Sequence, residues 1–255
     1  MLTVVKVGGA AARDPAAVAE LARSVASVAG ASVVVHGGGP EISAWQDRLG
    51  LPVAWSEGLR ITSPEAMQVT AMVLSGWINK RLVAALMDAG AGAVGVSGED
   101  GGLLSAAHMD GGRLGEVGHV VEVRPALLRA LLSSGFLPVV SPVSRGPGGR
   151  PLNVNADEAA ACLAASLGAR RLLLVSDVPG VVVDGVPEAS LSPERAADLV
   201  DRGVIGGGMA VKVRQALVAA AEGVEVCIGD ERILDDPAAG TRILAASAET
   251  AGRPA

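Results

Sequence analysis

Aromatic side chains are nearly missing from this sequence: it has no tyrosine, one phenylalanine and three tryptophans in 255 residues. Half of the residues are nonetheless hydrophobic, so Ala, Val and Leu must fill the core, and such small side chains imply closely packed elements. Basic charge is also in short supply, with 21 Lys and Arg against 27 Asp and Glu. That balance excludes the electropositive footprint of a nucleic-acid partner. No apolar run reaches the roughly 20 residues of a membrane span, and no basic-then-apolar leader opens the chain. The expected setting is the cytoplasm, with no membrane partner. Cys162 and Cys227 lack CxxC spacing, which argues against a disulfide framework or zinc site and leaves two small buried hydrophobes. A chain of this length buries a full core without staples, as one large domain or two joined lobes.

Lysine is the other scarcity. Only Lys6, Lys80 and Lys212 occur among the 21 basic residues, the rest being arginine. Coding bias toward Ala, Gly, Arg and Val explains how few there are, but not which remain. A forked guanidinium cannot replace a slim ammonium where only a point charge fits, so the three surviving positions are candidate sites.

Leu2 to Val7 is a β-branched run stopped by Gly8-Gly9. Asp14-Pro15 predicts a helix start, with Gly30 at its end. A strand over 32–35 follows, then His36-Gly37-Gly38-Gly39 and a helix over about 40–49. This alternation, with near-continuous Val runs, predicts a mostly parallel sheet covered on both faces, a three-layer α/β arrangement. A long helix is expected over 63–89 with a weak point at Ser75-Gly76, then a strand over 93–96 and a hairpin excursion over 98–123. A helix over 127–134, a strand over 136–140 and an exposed turn over 144–151 come next. Asn153-Val154-Asn155-Ala156-Asp157 leads into an Ala-rich helix ending near Gly168. The strand 172–175 runs into Ser176-Asp177-Val178-Pro179-Gly180, where a second lobe begins. Within it fall a helix over 193–202, the loop Gly206-Gly207-Gly208, a helix bearing Lys212 and a strand over 224–228. Residues 246–255 read as a loose tail.

Three glycine-rich segments, at 8–9, 37–39 and 206–208, suit backbone N–H groups aimed at an anion, two of them at the ends of Val-rich strands. Any one alone is explained by tight turning. The usual nucleotide signatures are absent: no GxxxxGK[ST] surrounds a lysine, and no GxGxxG follows a strand. His36-Gly37-Gly38-Gly39 is similar to an esterase oxyanion loop, but no GxSxG elbow accompanies it. Lys6 sits inside an apolar strand, where a charge is costly unless it meets an anion. Lys212 lies one helical turn beyond Gly208. Lys80, beside Arg81 on a helix, reads as a surface or pairing residue. Asp157 and Glu158 suit the positive end of a helix, which suffices for Glu158; Asp157 gains interest only if it orients the two lysines. His108 and His119 lack metal spacing and read as ordinary polar contacts.

Taken in order, Val5-Lys6-Val7-Gly8-Gly9, Val35-His36-Gly37-Gly38-Gly39, Glu57-Gly58-Leu59-Arg60-Ile61-Thr62, Leu152-Asn153-Val154-Asn155-Ala156-Asp157, Ser176-Asp177-Val178-Pro179-Gly180 and Gly208-Met209-Ala210-Val211-Lys212-Val213 resemble the amino acid kinase family. The resemblance runs from Val4 to about Ala245. It implies an αβα sandwich with an N-terminal lobe, 1–168, for an acyl-amino acid and for dimerisation, and a C-terminal lobe, 169–247, for ATP, with 248–255 as tail. Carried onto matching positions, it implies that Gly38, Gly39, Arg60 and Asn153 hold the acyl-amino acid, Arg60 by clamping its α-carboxylate. Lys6 and Lys212 would stabilise the moving phosphoryl group, with Asp157 organising both. Gly8, Gly9, Asp177, Val178, Pro179, Gly180, Val181, Val182, Val204, Ile205 and Gly206 would line the nucleotide site. Where relatives often carry Thr or Asp before the Gly-Met pair, this chain has glycine, which removes side-chain contacts to the nucleotide there.

The implied reaction is ATP-dependent phosphorylation of the side-chain carboxylate of N-acetyl-L-glutamate, early in arginine biosynthesis, with Mg2+ held mainly by the phosphates rather than by a protein metal site. Carrier-linked aminoadipate is the rival acid, and a catalytically silent amino-acid sensor the rival class; intact Lys6, Asp157 and Lys212 argue against the sensor. Arginine-inhibited relatives tend to carry an extra helix before the first strand, so an arginine-insensitive homodimer is expected.

Overall fold

The computed structural model describes residues 1–8, 15–28, 30–56 and 59–246. Gly9, the Asp14 cap, Glu57-Gly58 and the tail from residue 247 lie outside the described residues.

The first half runs β1 (Leu2–Val7), α1 (Pro15–Ser27), β2 (Ala31–His36), α2 (Gly39–Arg48), β3 (Ala54–Ser56), β4 (Leu59–Ile61), α3 (Pro64–Ala71), α4 (Asn79–Asp88) and β5 (Ala93–Ser97). Between α3 and α4 the helix widens to a π-helix over Met72–Ile78, around the predicted weak point at Ser75-Gly76. Then come β6 (Leu104–His108), β7 (Val117–Val123), α5 (Ala126–Ser133), β8 (Leu137–Ser141), β9 (Val143–Arg145), β10 (Pro151–Val154) and α6 (Ala156–Leu167). The remainder is β11 (Arg171–Val175), β12 (Val182–Val183), β13 (Val186–Pro187), β14 (Ser190–Leu191), α7 (Pro193–Asp201), α8 (Gly207–Ala221), β15 (Glu225–Gly229) and β16 (Thr241–Ile243).

Eight strands form one sheet in the order β14-β16-β15-β11-β1-β2-β8-β5. Every pairing is parallel except β15 with β16. The expected α/β sandwich is therefore present, and the Val runs are explained by burial on both faces. Side chains alternate between two cores with period two. On one face Val4, Val33, Val35, Leu172 and Leu174 pack with Leu163 of α6 and Val213 of α8. On the other, Val5, Val7, Val34 and Leu173 pack with Val18 of α1, Ile42 of α2, Ile78 of the π-helix and Leu82 of α4.

Two stretches differ from expectation. The excursion over 98–123 does contain the antiparallel hairpin β6–β7, but β9 and β10 close it into a four-stranded barrel. Ser144, expected in an exposed turn, is a fully buried strand residue, and Asn153 also lies in a strand. Only Pro147–Gly149 turns, with Gly148 and Gly149 at φ 69° and 76°. The other stretch is the hairpin β12–β13, whose Asp184-Gly185 turn has φ 50° and 81°. Positive φ at both central residues is what an Asp-Gly hairpin turn supplies.

Candidate active site

Lys6 is the next-to-last residue of β1 and shares its side-chain parity with Val4, so it faces the layer of α6 and α8. There its Nζ meets Asp157 Oδ1 at 2.8 Å. Lys212, in α8, donates to the same oxygen at 3.0 Å. Asp157 holds its place because α6 is capped by Asn155, whose Oδ1 accepts from the N–H groups of Asp157 at 2.8 Å and Glu158 at 3.2 Å. All three charged residues are 7% exposed. Burial works against ionisation of Asp157, but Lys6 and Lys212 outweigh it and hold its pKa below the ordinary aspartate value. Burial, with Lys6 close by, lowers Lys212 to about 8 against the pull of Asp157. At neutral pH the cluster therefore holds two cations and one anion, a surplus positive charge in a poorly solvated place.

Glu158 does more than complement the helix dipole. It is buried, accepts from the Val120 N–H at 2.7 Å and ties α6 to β7. Burial raises its pKa.

Lys6 and Asp157 open onto a cavity of about 210 Å³ that Gly38, Gly39, Arg60 and Asn153 also line. Its apolar wall includes Ile42, Trp55, Leu74 and Val117. Gly38 has to be glycine, because a Cβ there would run into the side chains of Ile78 and Leu74. Asn153 Nδ2 donates to Thr62 Oγ1 at 3.2 Å. Arg60 is 5% exposed. Its Nη1 donates to Gln46 at 2.7 Å, and its Nη2 donates to the Gly39 carbonyl at 2.8 Å and to Ser43 at 2.7 Å. Trp55 stacks over the guanidinium at 4.4 Å from the ring centre. This arrangement modifies the expected carboxylate clamp. A two-pronged contact uses Nη2 together with Nη1 or Nε, and both Nη2 protons are committed. A two-pronged contact would therefore require Ser43 or Gly39 to give up its bond, whereas a single contact to Nη1 or Nε would not.

The residues expected around the nucleotide are more mixed. Asp177, Val182, Val204 and Gly206 are exposed, and Val178 and Pro179 are half-buried. Val181 and Ile205 are buried in the core that holds α6 and α8, so their side chains do not face a ligand. The Val181 N–H is already donated to Thr241 Oγ1 at 2.9 Å. Gly180, at φ 157°, packs so tightly on Thr241 that a Cβ would come within 2.5 Å of its hydroxyl oxygen. The third glycine segment is not a free loop: Gly206 is the N-cap of α8, and Gly207 and Gly208 are its first residues. Gly8 lies near Val175, from whose carbonyl a Cβ would be 3.6 Å.

Gln46, Ser43 and Trp55 carry no signal in the sequence, since on α2 and β3 they look like ordinary polar and aromatic residues. The same holds for Asn79, the completely buried neighbour of Lys80. Lys80 itself is exposed, and its Nζ donates to Asn79 Oδ1 at 3.1 Å and to the Gly95 carbonyl at 3.2 Å. His108 pairs with Glu116 at 3.1 Å.

The chain is similar to known proteins in sequence and in fold. The amino acid kinase family model matches residues 1–230. An acetylglutamate kinase of Chloroflexus aggregans is 47% identical over 223 residues, covering 86% of this chain and 88% of its own. That of Geobacillus kaustophilus is 49% identical over 187 residues, 73% of this chain and 72% of its own. A crystal structure from Streptococcus mutans UA159 superposes with a TM-score of 0.84 at 27% identity, covering 96% of this chain and 99% of that one.

Proposed function

This chain belongs to the amino acid kinase family, and from that premise we propose that it transfers the γ-phosphoryl group of ATP to the side-chain carboxylate of N-acetyl-L-glutamate, an early step of arginine biosynthesis. The observation that carries the reading is the convergence of Lys6 and Lys212 on one oxygen of Asp157, beside the cavity that holds Arg60 and Asn153. The relatives named acetylglutamate kinase supply the choice of acid.

A side-chain carboxylate with a pKa near 4 is ionised at neutral pH, so no general base is required. Its oxygen attacks the γ-phosphorus, the bond to the β-phosphate oxygen breaks, and ADP leaves. The obstacle is repulsion between an anion and a triphosphate. Catalysis of phosphoryl transfer consists largely of positioning and of cations around the transferring group. Lys6 and Lys212 supply those cations. Asp157 keeps the two ammoniums together when no phosphate is present, and leaves one positive charge in excess to attract it. Replacing either by arginine would put a planar fork where a point charge is needed.

In this reading Gly38, Gly39, Arg60 and Asn153 bind the acyl-amino acid within the N-terminal lobe, 1–168. The segments 177–182 and 204–206 flank ATP in the C-terminal lobe, and Lys212 reaches across to Asp157. The Mg2+ that accompanies ATP would be held mainly by the phosphates and would supply charge neutralisation there. Among the described residues, no helix is long and apolar enough to cross a membrane. A cytoplasmic homodimer is part of the same proposal, and light scattering checks the dimer.

The test is ATP-dependent formation of an acyl phosphate, trapped with hydroxylamine, for N-acetylglutamate, glutamate and aminoadipate in parallel. Product with N-acetylglutamate well above the other two is expected. No product with any of the acids rejects the kinase, and preference for aminoadipate redirects it to the rival pathway.

A further inference from the structure

One buried polar assembly beside the cavity has no part in the reaction as proposed. His36, the last residue of β2, is completely buried and is followed directly by Gly37-Gly38-Gly39. Its Nδ1 lies 3.1 Å from the Gly37 carbonyl, and its Nε2 lies 3.2 Å from Asn79 Nδ2. Asn79 is the first residue after the π-helix. Its Nδ2 also donates to the Val139 carbonyl at 2.9 Å, while Lys80 Nζ donates to its Oδ1. The Val139 carbonyl, an obligate acceptor, at one end of the amide and the Lys80 ammonium, an obligate donor, at the other fix which way Asn79 faces.

The consequence for His36 is a definite tautomer. Asn79 presents a donor, so Nε2 must be the bare, accepting nitrogen; the proton then sits on Nδ1 and is donated to the Gly37 carbonyl. A trans peptide is planar, with its C=O and N–H pointing in opposite directions. Holding the Gly37 carbonyl toward His36 therefore turns the Gly38 N–H the opposite way. The Gly37 N–H is itself donated to the Val7 carbonyl at 3.1 Å, so both polar groups of Gly37 are fixed. Ile78 and Leu74 of the π-helix press against Gly38 from the side where a Cβ would be. A π-turn adds a residue and rotates the downstream helix by about 100° relative to a continuous α-helix. That rotation belongs to the same segment that brings Asn79 inward.

We propose that Asn79 is a positioning residue for the phosphoryl transfer: by fixing the Nδ1–H tautomer of His36 it sets the direction of the Gly38 N–H at the cavity. The inference rests on the kinase reading for its readout in activity, but not for its readout in the imidazole. Burial lowers the His36 pKa to about 4 against the bond to the Gly37 carbonyl, and Lys80 of α4, the charged group acting on it, adds to the lowering. The register partner of His36 on β1 is Val7, and β8 beside it contributes Val139 and Val140. The imidazole thus stays neutral through the physiological range.

The first test uses the wild-type protein. Nitrogen-15 correlation spectra of its three imidazoles, assigned with His108→Asn and His119→Asn variants, are expected to show one ring that is neutral and protonated on Nδ1 from pH 6 to 8. An Nε2–H tautomer for His36 overturns the proposal, whatever acid the enzyme phosphorylates. The second test is Asn79→Asp. A carboxylate there accepts from Nε2–H, which leaves Nδ1 bare against the Gly37 carbonyl when the ring is neutral and restores that bond when the ring is charged. Relative to wild type, kcat/KM for N-acetylglutamate is expected to be about tenfold lower at pH 8 and to recover as the pH falls to 6, in step with His36 titration. A ratio constant across that range also overturns the proposal, because a purely structural Asn79 would lower stability without inverting the pH profile. If the variant does not fold, the wild-type tautomer decides. If wild type makes no acyl phosphate while His36 is protonated on Nδ1, the kinase reading fails and the aimed loop stands.

Discussion

The Lys212 ammonium and the Asp157 carboxylate stand 3.0 Å apart, although 55 residues separate them in the chain. With Lys6 on the same oxygen, that contact joins β1, α6 and α8 at one point and determines what each substitution there should do.

Lys6→Arg and Lys212→Arg keep the charge and change its shape. Each is expected to lower kcat about 100-fold, the scale of losing one well-placed group on the developing charge, and to lower stability by about 1–3 kcal/mol, because the larger side chain enters a buried place. Initial rates of acyl phosphate formation and a thermal melt check both parts. Asp157→Asn should behave differently, since two ammoniums would face each other in a buried place. A loss of about 3–5 kcal/mol in folding stability is expected, read by urea denaturation.

The alkaline limb of the rate profile should belong to Lys212. With its pKa lowered to about 8, the free enzyme loses a phosphate-facing cation as the pH rises through that value, so kcat/KM for ATP falls above pH 8. A bound triphosphate favours the charged form, so the limb for kcat lies at higher pH. A kcat/KM profile flat to pH 9.5 contradicts the assignment.

Acid should destabilise the fold through His36. Its folded pKa, about 4, is below the ordinary 6.5, so the unfolded chain binds the proton more readily. Stability from this group is complete above pH 6.5 and is lost as the pH falls toward 4, by about 2 kcal/mol at pH 5 and about 3 in full. Denaturant unfolding of wild type against His36→Asn, at pH 7 and pH 5, isolates that contribution.

Gly38→Ala should cost about 1–3 kcal/mol and most of the activity, because the new methyl meets Ile78 Cδ1 first. Ile78→Val removes that atom. The double variant is expected to regain part of both stability and rate, more than the two single changes predict by addition.

Much of this site is legible in the sequence, for reasons tied to particular residues. Lys6 and Lys212 stand out because so few lysines remain, and the two-faced sheet follows from Val runs that a half-exposed strand would not tolerate. Their meeting at Asp157 is implied by the family resemblance and not by composition or spacing, since it depends on three elements folding together. Ser144 is misplaced because Gly146, Pro147, Gly148 and Gly149 dominate their surroundings, and a short barrel strand has no periodicity to set against them. The strands β14 and β16, of two and three residues, are too brief to leave a pattern. Ser75-Gly76 signals a weak helix, but the hydrogen-bond shift that makes it a π-turn depends on what packs against it. Gln46 and Ser43 become visible as partners of Arg60 only once α2 lies beside β4.

Alternation along β1 sends Val4 and Lys6 to one core and Val5 and Val7 to the other. A slip of one residue during folding would drive the Lys6 ammonium into the opposite layer, among Val18, Ile42 and Ile78, and leave Asp157 with one partner fewer. Lys6 therefore serves as a registration mark for the central strand. A misaligned sheet is unstable for the same reason that it is inactive, so molecules that survive folding have their phosphate-facing charge on the correct side.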